Sequence, residues 1–175
     1  MFFSAPKNMK WLKKVKSIFL DPDYSHHTKL LSTVPLFQDL KRRHLGVVYQ
    51  YLYEHHYYRG EQLFVEGDVG RALFIVKSGT IELVKKDEHR SDQRLALLKE
   101  SEFFGEMALL QEQPRSASAV AVEESDVYLL YKDKLDSLIH DHPEAGALLL
   151  KRLAEMIAAR LRVTSEKLLR KAPAV

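Results

Sequence analysis

Cysteine is absent from the chain, which excludes structural disulfides, iron–sulfur clusters, thiolate zinc sites and cysteine nucleophiles. Glycine and proline are scarce, with seven and six residues, too few for a collagen-like or Pro/Gly-rich disordered chain. No apolar run approaches the roughly 18 residues of a membrane span. The opening Met1-Phe2-Phe3-Ser4-Ala5-Pro6 leads into lysines where a secretory signal would need an apolar segment, so a cytoplasmic location is expected. Net charge is low too, at +3, and its distribution is uneven. Residues 1–20 hold five Lys and no acid, and residues 151–175 hold seven Lys/Arg against two Glu, which leaves the middle at −7. The pI of about 9.0 is therefore set by the termini, and the body does not read as a nucleic-acid-binding surface.

What is present suits one globular domain with appended helices: 175 residues, 46% hydrophobic and 29% charged. Residues 9–20 place Trp11, Leu12, Val15, Ile18 and Phe19 at helical spacing among four lysines, a basic amphipathic pattern. Asp21-Pro22-Asp23 is expected to stop it, with Tyr24-Ser25-His26-His27 a polar link. A second helix is expected over about 28–34, broken by Pro35, and a third from an Asp39 N-cap to about Tyr53. From His55 onward, short apolar runs divided by glycine predict strands at 62–65, 72–77, 80–85, 94–98, 117–122 and 127–131. Such closely spaced antiparallel strands suggest a small barrel or jelly roll, which also removes exposed edges. Residues 103–110 read as about one helical turn inside the sheet region. Helices then follow at 132–140 and from Pro143 to about Arg170, the latter striped by Leu149, Leu153, Ile157, Leu161, Thr164 and Leu168.

The residues with chemistry to offer lie between Gly105 and Ala117. A short helix with glycine in its first turn presents backbone N–H groups that have no intrahelical acceptor, and so favours an anion. Arg115, ten residues on, has a guanidinium fork suited to a phosphate. Glu106 would repel that phosphate unless it is turned to accept a hydroxyl from a sugar. A cyclic nucleotide offers both partners: one phosphate charge and one free ribose 2′-OH.

Phe104-Gly105-Glu106-Met107-Ala108-Leu109-Leu110 followed by Pro114-Arg115-Ser116-Ala117 resembles the phosphate-binding cassette of cyclic nucleotide-binding domains, as in catabolite activator proteins and protein kinase A regulatory subunits. Gly60 to Asp68 and Phe74 to Gly79 resemble the same family's strand and turn pattern, and the likeness spans about residues 35–160. It implies an eight-stranded β jelly roll with N-terminal helices and a long C-terminal helix. It also implies a ligand-binding set of Gly105, Glu106, Met107, Ala108, Leu109, Arg115, Ser116 and Ala117. In that set Glu106 would accept the 2′-OH, Arg115 would pair with the cyclic phosphate, and amides around Ala108 and Leu109 would complete the cradle. Ser116 would touch a phosphate oxygen or a purine edge, leaving cAMP and cGMP both open. Two departures bear on turn geometry: Ser101 stands where the family often has glycine, and Arg71 where an acid is common.

The resulting expectation is a cyclic nucleotide sensor, not an enzyme, needing no cofactor beyond its cAMP or cGMP ligand. Its parts would be an N-terminal helical extension at 1–34, the jelly roll with its leading helix at 35–145, and a lid or dimerisation helix and tail at 146–175. The C-terminal stripe suggests a homodimer, and any output would pass to a separate effector protein or through self-association. The thirty-odd residues after Pro143 make one helix and not a three-helix DNA reader, so no sequence-specific DNA binding is expected. Residues 9–20 could lie on an acidic membrane surface, but a helix packed on its own domain is preferred because no second membrane signal accompanies it. Two other classes compete: an interaction module with a vestigial cassette, and a metal-dependent cupin-type enzyme using His55-His56 or His140-Asp141-His142. Neither histidine pair is placed to converge.

Overall fold

The computed structural model describes residues 22–86 and 92–171, with side chains described for 25–86 and 93–166. The amphipathic stretch 9–20 and most of the charged turn after Lys86 lie outside the described residues. Eight strands form two four-stranded sheets in which every pairing is antiparallel. One sheet has the order β1 (Tyr53–Tyr57), β8 (Ser125–Tyr131), β3 (Ala72–Ser78), β6 (Phe103–Phe104). The other has the order β2 (Gln62–Phe64), β7 (Ser118–Ala121), β4 (Ile81–Lys86), β5 (Asp92–Leu98). This is the expected jelly roll with flanking helices.

The sheets enclose one core and the helices enclose a second, and β3 belongs to both. Its alternating side chains send Ala72, Phe74 and Val76 between the sheets and Leu73 and Ile75 toward the helices. A strand covered on both faces needs an unbroken apolar run, which is what Leu73-Phe74-Ile75-Val76 supplies. Strand β8 divides in the same way, Val127 and Leu129 inward, Tyr128 and Leu130 toward the helices. The helical side consists of α1 (Pro22–Thr33), a 3-10 turn (Pro35–Phe37), α2 (Arg42–Tyr49), α4 (Lys132–Asp141) and α5 (Pro143–Lys171). A four-residue helix, α3 (Met107–Leu110), interrupts the strands. No described helix is long and apolar enough to cross a membrane.

Several element boundaries differ from expectation. Pro22 opens α1, since a first-turn residue needs no N–H donor; the helix expected before it lies outside the described residues. Residues 24–27 are accordingly helical. Asp39 is not a cap: the N-cap of α2 is Lys41, with no side-chain cap bond, and Asp39 turns toward Arg152 at 3.9 Å. The third helix ends at Tyr49, and Tyr53–Tyr57 is a strand. That strand sits at a sheet edge with four of its five residues exposed, so it carries no apolar alternation to read. Phe103 and Phe104 form a two-residue strand, one ring in each core, and the helical turn starts only at Met107.

In α5 the described part of the apolar stripe begins buried and opens outward as far as Leu161. Leu149 and Leu153 are each 1% exposed, Ile157 is half-buried, and Leu161 is 65% exposed. The helix therefore leaves the body after about its fourth turn.

Candidate functional site

Between β6, α3 and the inner side of the β2/β7/β4/β5 sheet lies a cavity of about 310 Å³. Phe64, Leu83, Ala96 and Leu98 give it an apolar wall; Arg115, Glu106 and Arg160 supply its charge.

Arg115 is placed by the chain on either side of it. The segment from Gly67 to Gly70 runs against residues 113–115: Arg115 N–H donates to the Asp68 carbonyl at 2.7 Å and Gly67 N–H to the Arg115 carbonyl at 2.9 Å. Gly70 N–H reaches the Gln113 carbonyl at 3.3 Å, and Val69 bridges Pro114. The guanidinium lies over the Phe64 ring at 4.1 Å and near that of Phe74 at 5.4 Å, while Nη2 donates to the Ala72 carbonyl at 2.9 Å. One edge of the fork is thus used for anchoring, and the rest is available to the cavity. Two glycines make its slot. A Cβ on Gly105, at φ +73°, would sit 2.6 Å from Nη1, and a Cβ on Gly70 would sit 3.0 Å from Cζ and 2.9 Å from Ala108 Cβ. Burial pulls the Arg115 pKa down from its ordinary value, opposed by the charges of Asp68 and Glu106; a guanidinium starts so high that it stays charged at any physiological pH.

Glu106 is the N-cap residue of α3 and its side chain is only 12% exposed. Its carboxylate pairs with Arg160 of α5, not with Arg115. The Arg160 guanidinium also lies 5.2 Å from the centre of the Phe103 ring. Nothing in the local sequence pattern pointed to Arg160, because it lies 54 residues from the carboxylate it meets. Only its place on the C-terminal helix, late in the apolar stripe, hinted at a role.

The remaining expected residues are distributed unequally. Gly105, Met107, Ala108, Ser116 and Ala117 line the same cavity. Leu109 does not: its side chain is buried in the helical core. The amides of Ala108 and Leu109 are spent on the Gly105 and Glu106 carbonyls, at 3.2 and 3.1 Å. Within the first turn, the Glu106 and Met107 amides have no hydrogen-bond acceptor among the described residues, so the open donors lie two residues earlier than expected. Ser116 is exposed at the rim, whereas Ser118 accepts from Glu66 N–H at 2.9 Å and is structural. Among the described residues no group of three or more His, Asp or Glu side chains is placed to hold a metal ion. His55 packs on Tyr57, while His56 turns to Asp126.

Comparison with known proteins agrees with this geometry. A family model described as Cyclic nucleotide-binding domain matches residues 54–142. The Cyclic AMP receptor protein of Thermus thermophilus is 38% identical over 128 residues, 73% of this chain and 57% of that protein. Cyclic GMP-binding protein C of Dictyostelium discoideum is 33% identical over 106 residues, 61% of this chain and 4% of that protein. Among solved structures, the Thermus thermophilus catabolite activator protein aligns with a TM-score of 0.71 and 37% identity, covering 77% of this chain and 61% of that one. The chain thus spans less than two thirds of the length of these relatives. With a family match over more than half its length, on the strands and cassette just described, the chain belongs to the cyclic nucleotide-binding domain family.

Proposed function

We propose that the chain is a regulatory sensor that binds cAMP or cGMP in the cavity between α3 and the β2/β7/β4/β5 sheet. The observation that carries this reading is that a half-buried, phenyl-backed Arg115 and a nearly buried Glu106 line one cavity. The guanidinium fork and the open Glu106 and Met107 amides suit a single phosphodiester charge. The Glu106 carboxylate suits the ribose 2′-OH, and Ser116 at the rim suits a phosphate oxygen or a base edge. A volume of about 310 Å³ is at the small end of ligand cavities and fits a mononucleotide better than a cyclic dinucleotide. Relatives named for cAMP and for cGMP both match, and the base preference is left to experiment.

In this reading the protein acts by binding and not by catalysis. Residues 35–145 would hold the ligand, residues 146–175 would respond to it and residues 1–34 would form an appended unit. Ligand-dependent rearrangement of α5 would follow from Arg160, whose bond to Glu106 Oε1 leaves Oε2 to the ribose 2′-OH, so that helix and sugar share one carboxylate and support each other's place on it. A ligand shifts such an equilibrium only through contacts that differ between the two states, and Glu106 is where they differ. Beyond the body, Leu161 of the apolar stripe is 65% exposed, on a helix face suited to a second α5 in a homodimer.

Isothermal titration of the full chain with cAMP, cGMP and a cyclic dinucleotide tests the proposal, with Arg115→Ala as control. Saturable binding of a mononucleotide that the substitution abolishes is the expected result. A folded chain that binds neither mononucleotide overturns it and leaves an interaction module as the remaining reading.

A further inference from the structure

The helix that carries Arg160 is held by the body along only part of its length. Ala145, Leu149 and Leu153 are each at most 2% exposed, and burial then falls away toward Leu161. Arg160 therefore rides on a lever whose last firm support is the turn around Leu153. From Leu153 to Arg160 the rise is about 10 Å, so tilting the helix there by about 6° displaces Arg160 by about 1 Å. That is enough to make or lose an ion-paired hydrogen bond. Whatever fixes the helix beside Leu153 sets where Arg160 points.

Arg152 does this. Its Nε donates to the Pro35 carbonyl at 3.1 Å and its Nη2 to Gln38 Oε1 at 3.1 Å, with Asp39 Oδ2 at 3.9 Å. A contact to Glu155 at 3.4 Å on its own helix steadies the guanidinium. A solvated arginine on a helix face would be largely exposed, whereas this side chain is 25% exposed and holds two acceptors and a carboxylate on a separate element. The turn it grips is rigid, since Leu36 and Phe37 are completely buried beneath it. The same unit is tied toward the ligand cavity: Thr33, at the end of α1, meets the Ser101 hydroxyl two residues before Phe103, over whose ring Arg160 lies. Helix α5 thus carries two arginines. One reaches the cassette, and the other clamps the 3-10 turn.

We infer that Arg152 is a positioning residue for the binding site, setting the reach of Arg160 to Glu106 and coupling the cassette to the 3-10 turn and α1. The inference rests on the proposed ligand reading for its binding consequence, but its mechanical part does not. Linkage makes the coupling reciprocal: a ligand that changes how Glu106 holds Arg160 must change the environment of the 3-10 turn by the same free energy.

Two measurements on the full chain test it. The chain lacks cysteine, so Val163→Cys and Lys85→Cys place a clean pair of spin labels on α5 and the sheet. In ligand-free protein, Arg152→Gln is expected to broaden and shift the distance distribution relative to the parent, while Arg152→Lys, which keeps one donor for Pro35, falls between them. An unchanged distribution in a folded variant overturns the inference, whether or not any nucleotide binds. Titration with cAMP and cGMP is the second arm. Arg152→Gln is expected to weaken binding about three- to tenfold in the parent and less than twofold in an Arg160→Gln background, because it acts through Arg160. Equal weakening in both backgrounds would mark Arg152 as merely structural and overturn the inference. Failure of the parent to bind either nucleotide sinks the sensor reading instead, and the distance arm then decides alone.

Discussion

Gly105 and Arg115 compete for the same space: a Cβ on the glycine would lie 2.6 Å from Nη1 of the arginine and 3.2 Å from the Ala72 carbonyl that anchors it. The glycine is required twice, once by its φ of +73° and once by this contact. Gly105→Ala is expected to cost about 1–2 kcal/mol of stability from the left-handed backbone alone, and to push the guanidinium off the Phe64 ring. Nucleotide affinity should fall at least tenfold in titration calorimetry. Gly60→Ala provides the comparison, since Gly60 has φ +83° with nothing within 4 Å of its Cβ position. It should show a similar loss in urea unfolding with unchanged affinity. Equal affinity loss in both would mean that backbone strain and not the guanidinium slot is responsible.

Ser101 stands where family resemblance favours glycine, and it adopts φ +71° as a glycine would. The turn is kept and the side chain bears the strain, offset in part by the contact with the Thr33 hydroxyl. Left-handed conformations cost non-glycine residues of order 1–3 kcal/mol, against about 0.4–1 kcal/mol of extra unfolded-state entropy for glycine. Ser101→Gly is thus expected to be neutral to stabilising by up to about 1 kcal/mol. Ser101→Ala, which keeps the strain and loses the hydroxyl contact, should destabilise, and the β-branched Ser101→Val should do so most. Urea midpoints for the three variants check the order.

The parts of the molecule that could be read from sequence are those whose neighbours are local or whose burial is two-sided. Strand β3 announced itself as Leu73-Phe74-Ile75-Val76 because both faces are covered, and the cassette did so because glycine and charge fall within a dozen residues of one another. Strand β1 did not, since an exposed edge places no demand on Tyr53-Glu54-His55-His56-Tyr57. Phe103-Phe104 looked like the start of a helix because one ring feeds each core, a division that no periodicity over two residues can show. Within the site, Arg115 and Glu106 were legible, but their relation was not: the carboxylate takes its partner from a helix 54 residues away. Arg152 was illegible for the same reason, its acceptors lying 114 and 117 residues distant.

Acid should weaken the fold through Asp126. His56 Nδ1 hydrogen-bonds its Oδ1 at 2.8 Å and Ser78 Oγ donates to Oδ2 at 3.1 Å. The His56 hydrogen bond is the largest cause of a lowered Asp126 pKa, burial opposes it, and Ser78 and the charges of His56 and Lys77 add to it. A carboxylate whose pKa is lower folded than unfolded stabilises the fold fully above its unfolded value, near 3.9. That contribution is lost as pH falls through the depressed folded value. The stability gap between the parent and Asp126→Asn, read from urea midpoints, should be wide above about pH 4 and narrow below it. Because the pair is partly exposed, the gap should also shrink in 1 M salt. A gap that is constant with pH would assign the effect to Ser78 packing instead.

Gly146 reverses an ordinary rule. In a helix, Gly→Ala normally gains about 1 kcal/mol from propensity, and Gly146 lies in the first turn of α5, in a non-strained conformation. Its missing side chain faces α4, where a Cβ would lie 2.7 Å from Ile139 Cα and 2.8 Å from Ile139 Cγ1. The nearer atom is backbone and cannot rotate away, so the two helices must separate. Overpacking of this kind costs about 1–3 kcal/mol, and Gly146→Ala should destabilise where propensity alone predicts a gain. Trimming the neighbour with Ile139→Ala in the same chain removes the Cγ1 contact but leaves the one to Cα, so it should fail to restore the lost stability. Separation here also tilts α5 about 21 Å before Arg160 on the helix axis, so nucleotide affinity should fall together with stability. A Gly146→Ala protein of raised melting temperature and unchanged affinity would show that the α4–α5 crossing has slack and does not set the position of α5.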